Sequence, residues 1–187
     1  GFSIIHLYLD PEMLENADVQ YPIKFDPSFE LYCNKIPDTS VYSGTDTNSY
    51  LRHYTVIGEH PQLGEGWEYI RLRLNYLMTV SPESIQSAAY YAKRLWGDSS
   101  LSKSQAYIPA EQWSSTQMLW TNRSLPSTAL AGKTEIRNGY IRLSMDEFIR
   151  DCVRDPNWET ESIGFLMKME EPQVYGVLSS SDHSLYS

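Results

Sequence analysis

Tyr69-Ile70-Arg71-Leu72-Arg73-Leu74-Asn75-Tyr76-Leu77-Met78 alternates apolar and polar side chains over most of its length. Ile70, Leu72, Leu74, Tyr76 and Met78 fall on one face and Arg71, Arg73 and Asn75 on the other. Successive side chains of an extended chain point to opposite sides, so this pattern predicts a half-buried β-strand over 69–78. Outward from it the same two-residue rhythm recurs in short pieces, at 41–42, 54–57, 87–96, 105–108, 118–120, 140–143, 163–169 and 174–179. Clusters of Gly, Pro, Asn, Asp and Ser separate them. Eight to ten short strands at such spacing predict an all-β sandwich.

One segment has a different period. Met145, Phe148, Ile149, Cys152 and Val153 recur at helical spacing, behind Ser144-Met145-Asp146-Glu147, which reads as a capping box. A short helix is expected over 145–154, ended by Asp155-Pro156-Asn157, because the residue before a proline avoids the helical region. Near the front, Tyr21-Pro22-Ile23-Lys24-Phe25-Asp26-Pro27 carries two prolines and marks a boundary. Residues 1–27 are expected to form a leader strand or linker, and 28–187 the sandwich.

Composition narrows the function. The 187 residues are 41% hydrophobic and 21% charged, the balance of one globular domain with a core. No apolar run approaches the roughly 20 residues that a membrane-spanning helix needs, so no membrane insertion is expected. Gly1-Phe2-Ser3-Ile4-Ile5 lacks the basic flank and apolar stretch of a secretory signal, which places any export signal outside this sequence. Fifteen basic residues against 24 acidic ones give a net charge of -9. The basic residues are scattered singly, which argues against a nucleic-acid partner. Cys33 and Cys152 are the only cysteines and form no C-x-x-C, so neither a zinc site nor a redox motif is supported, and whether the two pair is left open. Aromatic residues reach 13%, a content that suits both β structure and sugar-facing surfaces.

The order of motifs resembles a known family. Tyr21-Pro22-Ile23-Lys24-Phe25-Asp26-Pro27 is similar to the lead-in of DNRLRE-type β-sandwich domains of secreted bacterial proteins, many of which carry Rhs/YD repeats or are wall-associated toxins. Pro37-Asp38-Thr39-Ser40-Val41, Asp46-Thr47-Asn48-Ser49-Tyr50 and Tyr54-Thr55-Val56-Ile57-Gly58 look like that family's opening strand, Asn-rich turn and second strand, and 69–74 takes the place of its R-x-x-I-K-F strand. Ile85-Gln86-Ser87-Ala88-Ala89-Tyr90-Tyr91 resembles its I-x-S-A-x-L-x-L strand. Trp113 with Trp120-Thr121-Asn122-Arg123-Ser124-Leu125-Pro126 resembles its most specific signature, W-x-E-x-x-x-T-W-N-x-x-P. Residues 140–154 and Ile163-Gly164-Phe165-Leu166-Met167 follow in the family's order, so the resemblance covers about 21–187.

The resemblance implies a jelly-roll β-sandwich that serves as an accessory module rather than an enzyme, and related modules bind alginate and other polysaccharides. Two departures stand out. Ala89 and Ala92 replace bulkier residues, and the family's closing P-x-L-x-V-x-Y strand has no counterpart before Leu185-Tyr186-Ser187. The closing strand is therefore expected from sequence beyond Ser187 or from another chain, since an unpaired strand position leaves exposed N–H and C=O groups.

No catalytic constellation is legible. His6, His53, His60 and His183 fall in unrelated contexts, and Glu170-Glu171 and Glu159 with Glu161 read as solvated turn charges. Asp38, Asp46 and Asp182 leave room for a structural calcium, with turn-forming Asp as the simpler reading; no cofactor is required. Trp113 and Trp120 are expected in the core. Trp67, after Gly64-Glu65-Gly66, and Trp96, before Gly97-Asp98, sit at expected loop margins where a flat ring could stack on a sugar, and Tyr90 shares a face with Trp96 if its strand is regular. Asn122-Arg123-Ser124 is formally a glycosylation sequon inside the family signature.

The expected function is that of a non-catalytic module of a larger secreted or cell-surface bacterial protein, binding polysaccharide or cell-wall glycan through Trp67, Tyr90 and Trp96, beside neighbouring modules of the same polypeptide. The competing reading is a structural spacer or shell domain of an Rhs-type surface protein or toxin without a small ligand. A polysaccharide-degrading enzyme is a third, and needs a constellation that the sequence does not display.

Overall fold

The computed structural model describes residues 38–49, 52–72, 80–97, 99–155 and 164–180. The chain divides between Tyr32 and Cys33, and every described residue lies in the C-terminal unit. The expected leader, the boundary prolines, 73–79 of the predicted strand and the positions expected to hold or precede a closing strand lie outside the described residues.

Among the described residues, ten strands and one α-helix follow in order: β1 Asp38–Tyr42, β2 Tyr54–His60, β3 Gly64–Arg71, β4 Ala89–Trp96, β5 Ser104–Pro109, β6 Pro126–Ala129, β7 Thr134–Arg137, β8 Tyr140–Ser144, α1 Asp146–Arg154, β9 Gly164–Met169 and β10 Tyr175–Ser179. All pairings are antiparallel, in the order β6-β5-β9-β3-β2-β10-β4-β8-β7, with β1 added on β3. The sheet turns over at β3. Gly66 pairs with Gly58 of β2 and with Tyr42 of β1, which must therefore lie on opposite edges; from Glu68 onward β9 occupies the edge that β2 has left. The result is two layers, β1-β3-β9-β5-β6 and β2-β10-β4-β8-β7, which together make the all-β jelly-roll sandwich.

Gly66 makes that corner. A Cβ there would lie 2.3 Å from the carbonyl oxygen of Val56 and 3.1 Å from the Tyr42 ring, so only a residue without a side chain lets the strands meet. The segment Gly64-Glu65-Gly66 is thus the start of β3 and not a flexible loop, and the strand begins five residues earlier than its alternation predicts.

The two inner faces share the main core. Ile70, Phe165, Met167 and Ala106 from one layer meet Ile57, Leu178, Ala92, Ile141 and Leu143 from the other, all nearly or fully buried. A second, smaller cluster covers the outer face of the first layer, where Val41, Trp67, Tyr69 and Leu166 lie under Met118, Trp113 and Trp120 of the loop 110–125. Consequently β3 is buried on both faces, and Tyr69 is as inaccessible as Ile70. Trp113 packs on Tyr69 at 5.5 Å, and Arg71 lies 5.0 Å above the Trp113 ring while donating to its carbonyl. The strand predicted at 118–120 does not form; Met118 enters this cluster and Trp120–Asn122 makes a 3-10 turn.

Two strands escape the two-residue reading. β6 begins at Pro126 and pairs with β5 alone, at the sheet edge where a proline costs no ladder bond. β7 is only four residues and joins β8 through Asn138-Gly139, whose φ values of 51° and 79° are those of a tight hairpin turn. The helix α1 forms as expected and lays Met145, Phe148, Ile149 and Val153 on the main core. Its capping box does not form. Met145 occupies the cap position without a side-chain bond, while Ser144 Oγ donates to Asp146 Oδ2 at 2.8 Å and Asp146 Oδ1 accepts the Ala88 N–H at 2.5 Å. These bonds hold the Asp146 carboxyl below its ordinary range, the Ala88 N–H first. β10, the last described strand, is paired on both edges, by β2 and β4. Among the described residues, no helix is long and apolar enough to cross a membrane.

Candidate functional site

The outer face of the second layer carries the feature that burial alone does not explain. Along β4, Tyr90 and Ala92 point inward, opposite Leu143 and Ile141 of β8, whereas Tyr91 and Lys93 point outward, opposite Arg142 and Tyr140. On its other edge β4 meets β10 with a register shift, since Leu178 faces Arg94 but its neighbour Val177 faces Trp96. One extra residue, Leu95, is accommodated as a bulge. Leu178 is fully buried and Val177 turns to the other face, so the bulge delivers Trp96 to the outer surface with 56% of its area exposed. The regular strand that would place Tyr90 beside Trp96 is broken at this point, and the two rings lie on opposite faces.

Trp96 does not project alone. Its ring stacks on Tyr175 of β10 with centroids 4.6 Å apart and planes inclined by 28°. Tyr175 in turn meets His60 of β2 edge to face at 4.7 Å and 73°. The close approach of β10 depends on Gly58, whose φ is +93° and at which a Cβ would lie 2.1 Å from the Val174 carbonyl oxygen and 2.9 Å from Tyr175 Cα. Across the same face, Arg142 Nε donates to Tyr91 Oη at 3.1 Å, and Lys93 Nζ lies 4.7 Å above the Tyr140 ring. Arg137, opposite Tyr140, is exposed on the same side. Of the six exposed large hydrophobic side chains among the described residues, Tyr54, Tyr91, Leu95, Trp96 and Tyr140 belong to strands of this layer; Leu125 alone does not. No family model and no curated protein sequence matches this chain.

Of the three residues singled out from the sequence, Trp96 alone offers an open ring face. Trp67 is mid-strand and 6% exposed, because the loop 110–125 closes over it. Its indole donates to Glu65 Oε1 at 2.7 Å, and it meets Trp120 edge to face at 5.2 Å. Arg123 lies against both rings, 4.6 Å from Trp67 and 3.8 Å from Trp120. Tyr90 packs into the core on Phe165 at 5.2 Å. Tyr175, Tyr91, Tyr140 and His60 join Trp96 instead. The outward positions in Tyr140-Ile141-Arg142 and Tyr90-Tyr91-Ala92-Lys93 carried that signal, an aromatic or basic residue at each solvent-facing step.

The interior holds a polar cluster with no sequence signal. Glu68 of β3 is fully buried opposite Ser40 of β1, one step along from Asp38. Both Glu68 oxygens lack a hydrogen-bond partner of normal geometry, as do Ser40 Oγ and Thr55 Oγ1. Burial pushes the Glu68 carboxyl up to about 8; the Asp38 charge adds to this, and the neighbouring hydroxyls of Thr55 and Tyr90 oppose it. The Tyr90 phenol is raised by the same enclosure and by both carboxyls.

The remaining candidates are dispersed. Asp38 is buried within the sandwich, Asp46 is exposed in a loop and Asp182 lies outside the described residues, so the three are not seen together. Among the described residues no three His, Cys, Asp or Glu side chains group as metal ligands do. Glu170 accepts from Tyr107 Oη at 2.6 Å and pairs with Lys168 at 3.2 Å, while Glu171 pairs with Lys103 at 2.5 Å, so each carboxylate of this pair is held by its own partner. Asn122 spends its amide on the turn, accepting from Leu119 N and donating to Gln117 O. Cys152 is a free thiol pushed up to about 11 by burial, and Cys33 lies outside the described residues.

Proposed function

We propose that this domain is a non-catalytic glycan-binding module of a larger secreted or cell-surface bacterial protein, and that Trp96 stacked on Tyr175 is its platform. The observation that carries the reading is the exposure of a rigid, already stacked aromatic pair on a sheet face where solvent-facing aromatics are concentrated. Singly exposed apolar side chains need no explanation, but a concentration of them on one face marks an interaction site. A flat ring with an apolar face suits the C–H face of a pyranose, and the outward Lys93, Arg137 and Arg142 and the tyrosine hydroxyls supply hydrogen-bond partners for its rim. Because Tyr175 holds Trp96 in place, little side-chain entropy is lost on binding. The resemblance to accessory jelly-roll modules of secreted bacterial proteins points the same way.

The test is affinity electrophoresis of the domain against hydroxyethylcellulose, arabinoxylan, β-glucan, alginate and solubilised peptidoglycan, with Trp96→Ala, Tyr175→Ala and Leu125→Ala alongside. Retardation by at least one polymer, lost in Trp96→Ala and kept in Leu125→Ala, supports the module. Equal mobility in every gel removes the glycan reading in favour of a structural spacer.

A further inference from the structure

The turn that joins β2 to β3 is tied by a side chain of the strand that enters it. His60 Nδ1 accepts the backbone N–H of Gln62 at 3.1 Å and that of Leu63 at 3.3 Å. An imidazole nitrogen can accept only while it carries a lone pair; once protonated it becomes a donor facing two donors. The same ring bears on Tyr175 at 4.7 Å, and Tyr175 carries Trp96. Turn, imidazole and platform therefore form one contiguous chain of contacts.

The acidic side chains on the strands beside His60 are engaged elsewhere. On its own strand, the Glu59 carboxylate accepts the Gln173 N–H at 2.8 Å. On β3 its register partner is Gly64, and the nearby Glu65 takes the Trp67 indole N–H. On β10 it faces Tyr175, and on β4 it reaches Trp96 only through that ring. None of the ion pairs among the described residues includes His60.

We infer that His60 is a pH-sensitive latch on the aromatic platform: unprotonated, it ties the turn and braces Tyr175 under Trp96, and protonation releases both. Binding by the platform, which rests on the glycan reading above, is then strong at neutral pH and weak in mild acid. Glu68, whose carboxyl burial raises to about 8, also gains a proton in this range, but it is buried in the sandwich and unchanged in His60→Asn, so it cannot account for a difference between the two proteins.

The experiment separates the latch from the ligand. Trp96 emission, taken as the difference between wild-type and Trp96→Phe spectra, is followed without ligand from about pH 8 to about pH 5. In parallel, affinity electrophoresis against the five polymers named above is run at both ends of that range. His60→Asn is the matched variant, since its Oδ1 accepts the same N–H groups and does not titrate. The expected result is a single Trp96 transition and a roughly fivefold or greater loss of affinity in acid, and a His60→Asn domain in which neither emission nor binding changes across the same range. A Trp96 transition abolished by His60→Asn, with no polymer retarded at either pH, keeps the latch and rejects the glycan reading. Trp96 emission that does not change with pH, or that changes equally in His60→Asn, overturns the latch whatever the binding result.

Discussion

Trp96 of β4 lies nearly parallel to Tyr175 of β10, 4.6 Å from it, only because one extra residue at Leu95 turns the end of its strand outward. The ring is held by a neighbour and open to solvent, a combination that the proposed glycan platform needs and that neither a core tryptophan nor an unsupported surface one has. Trp96→Ala is expected to weaken glycan affinity by about tenfold or more with little change in thermal stability, and Tyr175→Ala to weaken it less. Trp67→Ala is expected to do the reverse, costing about 3–5 kcal/mol of stability because it empties the second core cluster. Paired melting and electrophoresis of the three variants checks this; a Trp67→Ala domain that melts normally and alone loses binding would contradict the assignment.

Glu68 makes stability depend on pH in a direction opposite to most carboxylates. Its carboxyl is raised from 4.5 to about 8 in the fold, so the folded chain holds a proton that the unfolded chain releases. Between those two values the folded state binds more protons, and stability falls as pH rises, levelling above about 8 where both states are ionised. The full span is on the order of a few kcal/mol. Glu68→Gln keeps the shape and removes the titration, so the variant is expected to match wild type near pH 4 and to exceed it by roughly 2 kcal/mol near pH 8. Urea melts of both proteins across that range decide it: parallel curves would show that Glu68 does not hold this proton.

How much of this was legible in the sequence depends on which rule each residue obeys. Alternation located β2, β4, β5, β8, β9 and β10, because strands of a sandwich bury one face and wet the other. It misplaced the start of β3, where Gly64 and Gly66 look like a loop until the close passage of Val56 is known. It treated Trp67 as available because sequence cannot show that the loop 110–125 folds back over it. The bulge at Leu95 adds one residue to one strand and reverses everything after it, so Trp96 is exposed beside Tyr175 and not beside Tyr90, which alternation alone puts on its face. The Asn138-Gly139 turn is a readable signal for the β7–β8 hairpin, whereas the placing of Glu68 opposite Ser40, which brings its carboxyl near Asp38, is not, since it is a register and not a motif.

Arg123 is the clasp of the loop over the first layer. Its guanidinium lies against both Trp67 and Trp120, which also touch each other, and donates to the Trp120 carbonyl at 2.5 Å. Arg123→Met keeps much of the stem and loses the charge on both rings. A destabilisation of about 1–2 kcal/mol is expected, together with faster limited proteolysis within 110–125, because Trp120 would no longer be pinned to Trp67. Unchanged cleavage and melting would mean that apolar contact alone holds the loop.

Gly66 sets the corner at which one sheet becomes two layers. It pairs with Gly58 across one edge and Tyr42 across the other, and a methyl group there would press on the Val56 carbonyl at 2.3 Å. That oxygen is backbone on a strand that β10 holds from its far side, so it cannot swing away as a side chain would. Gly66→Ala is therefore expected to destabilise by roughly 2–3 kcal/mol or more, through strain and not through any change in chain flexibility. Gly139→Ala, where added bulk meets only the Lys93 ammonium at 3.4 Å but φ is +79°, is expected to cost about 1 kcal/mol. Chemical denaturation of the two variants ranks the mechanisms: if Gly139→Ala proved the more damaging, positive φ rather than the close approach of strands would be the tighter constraint on this fold.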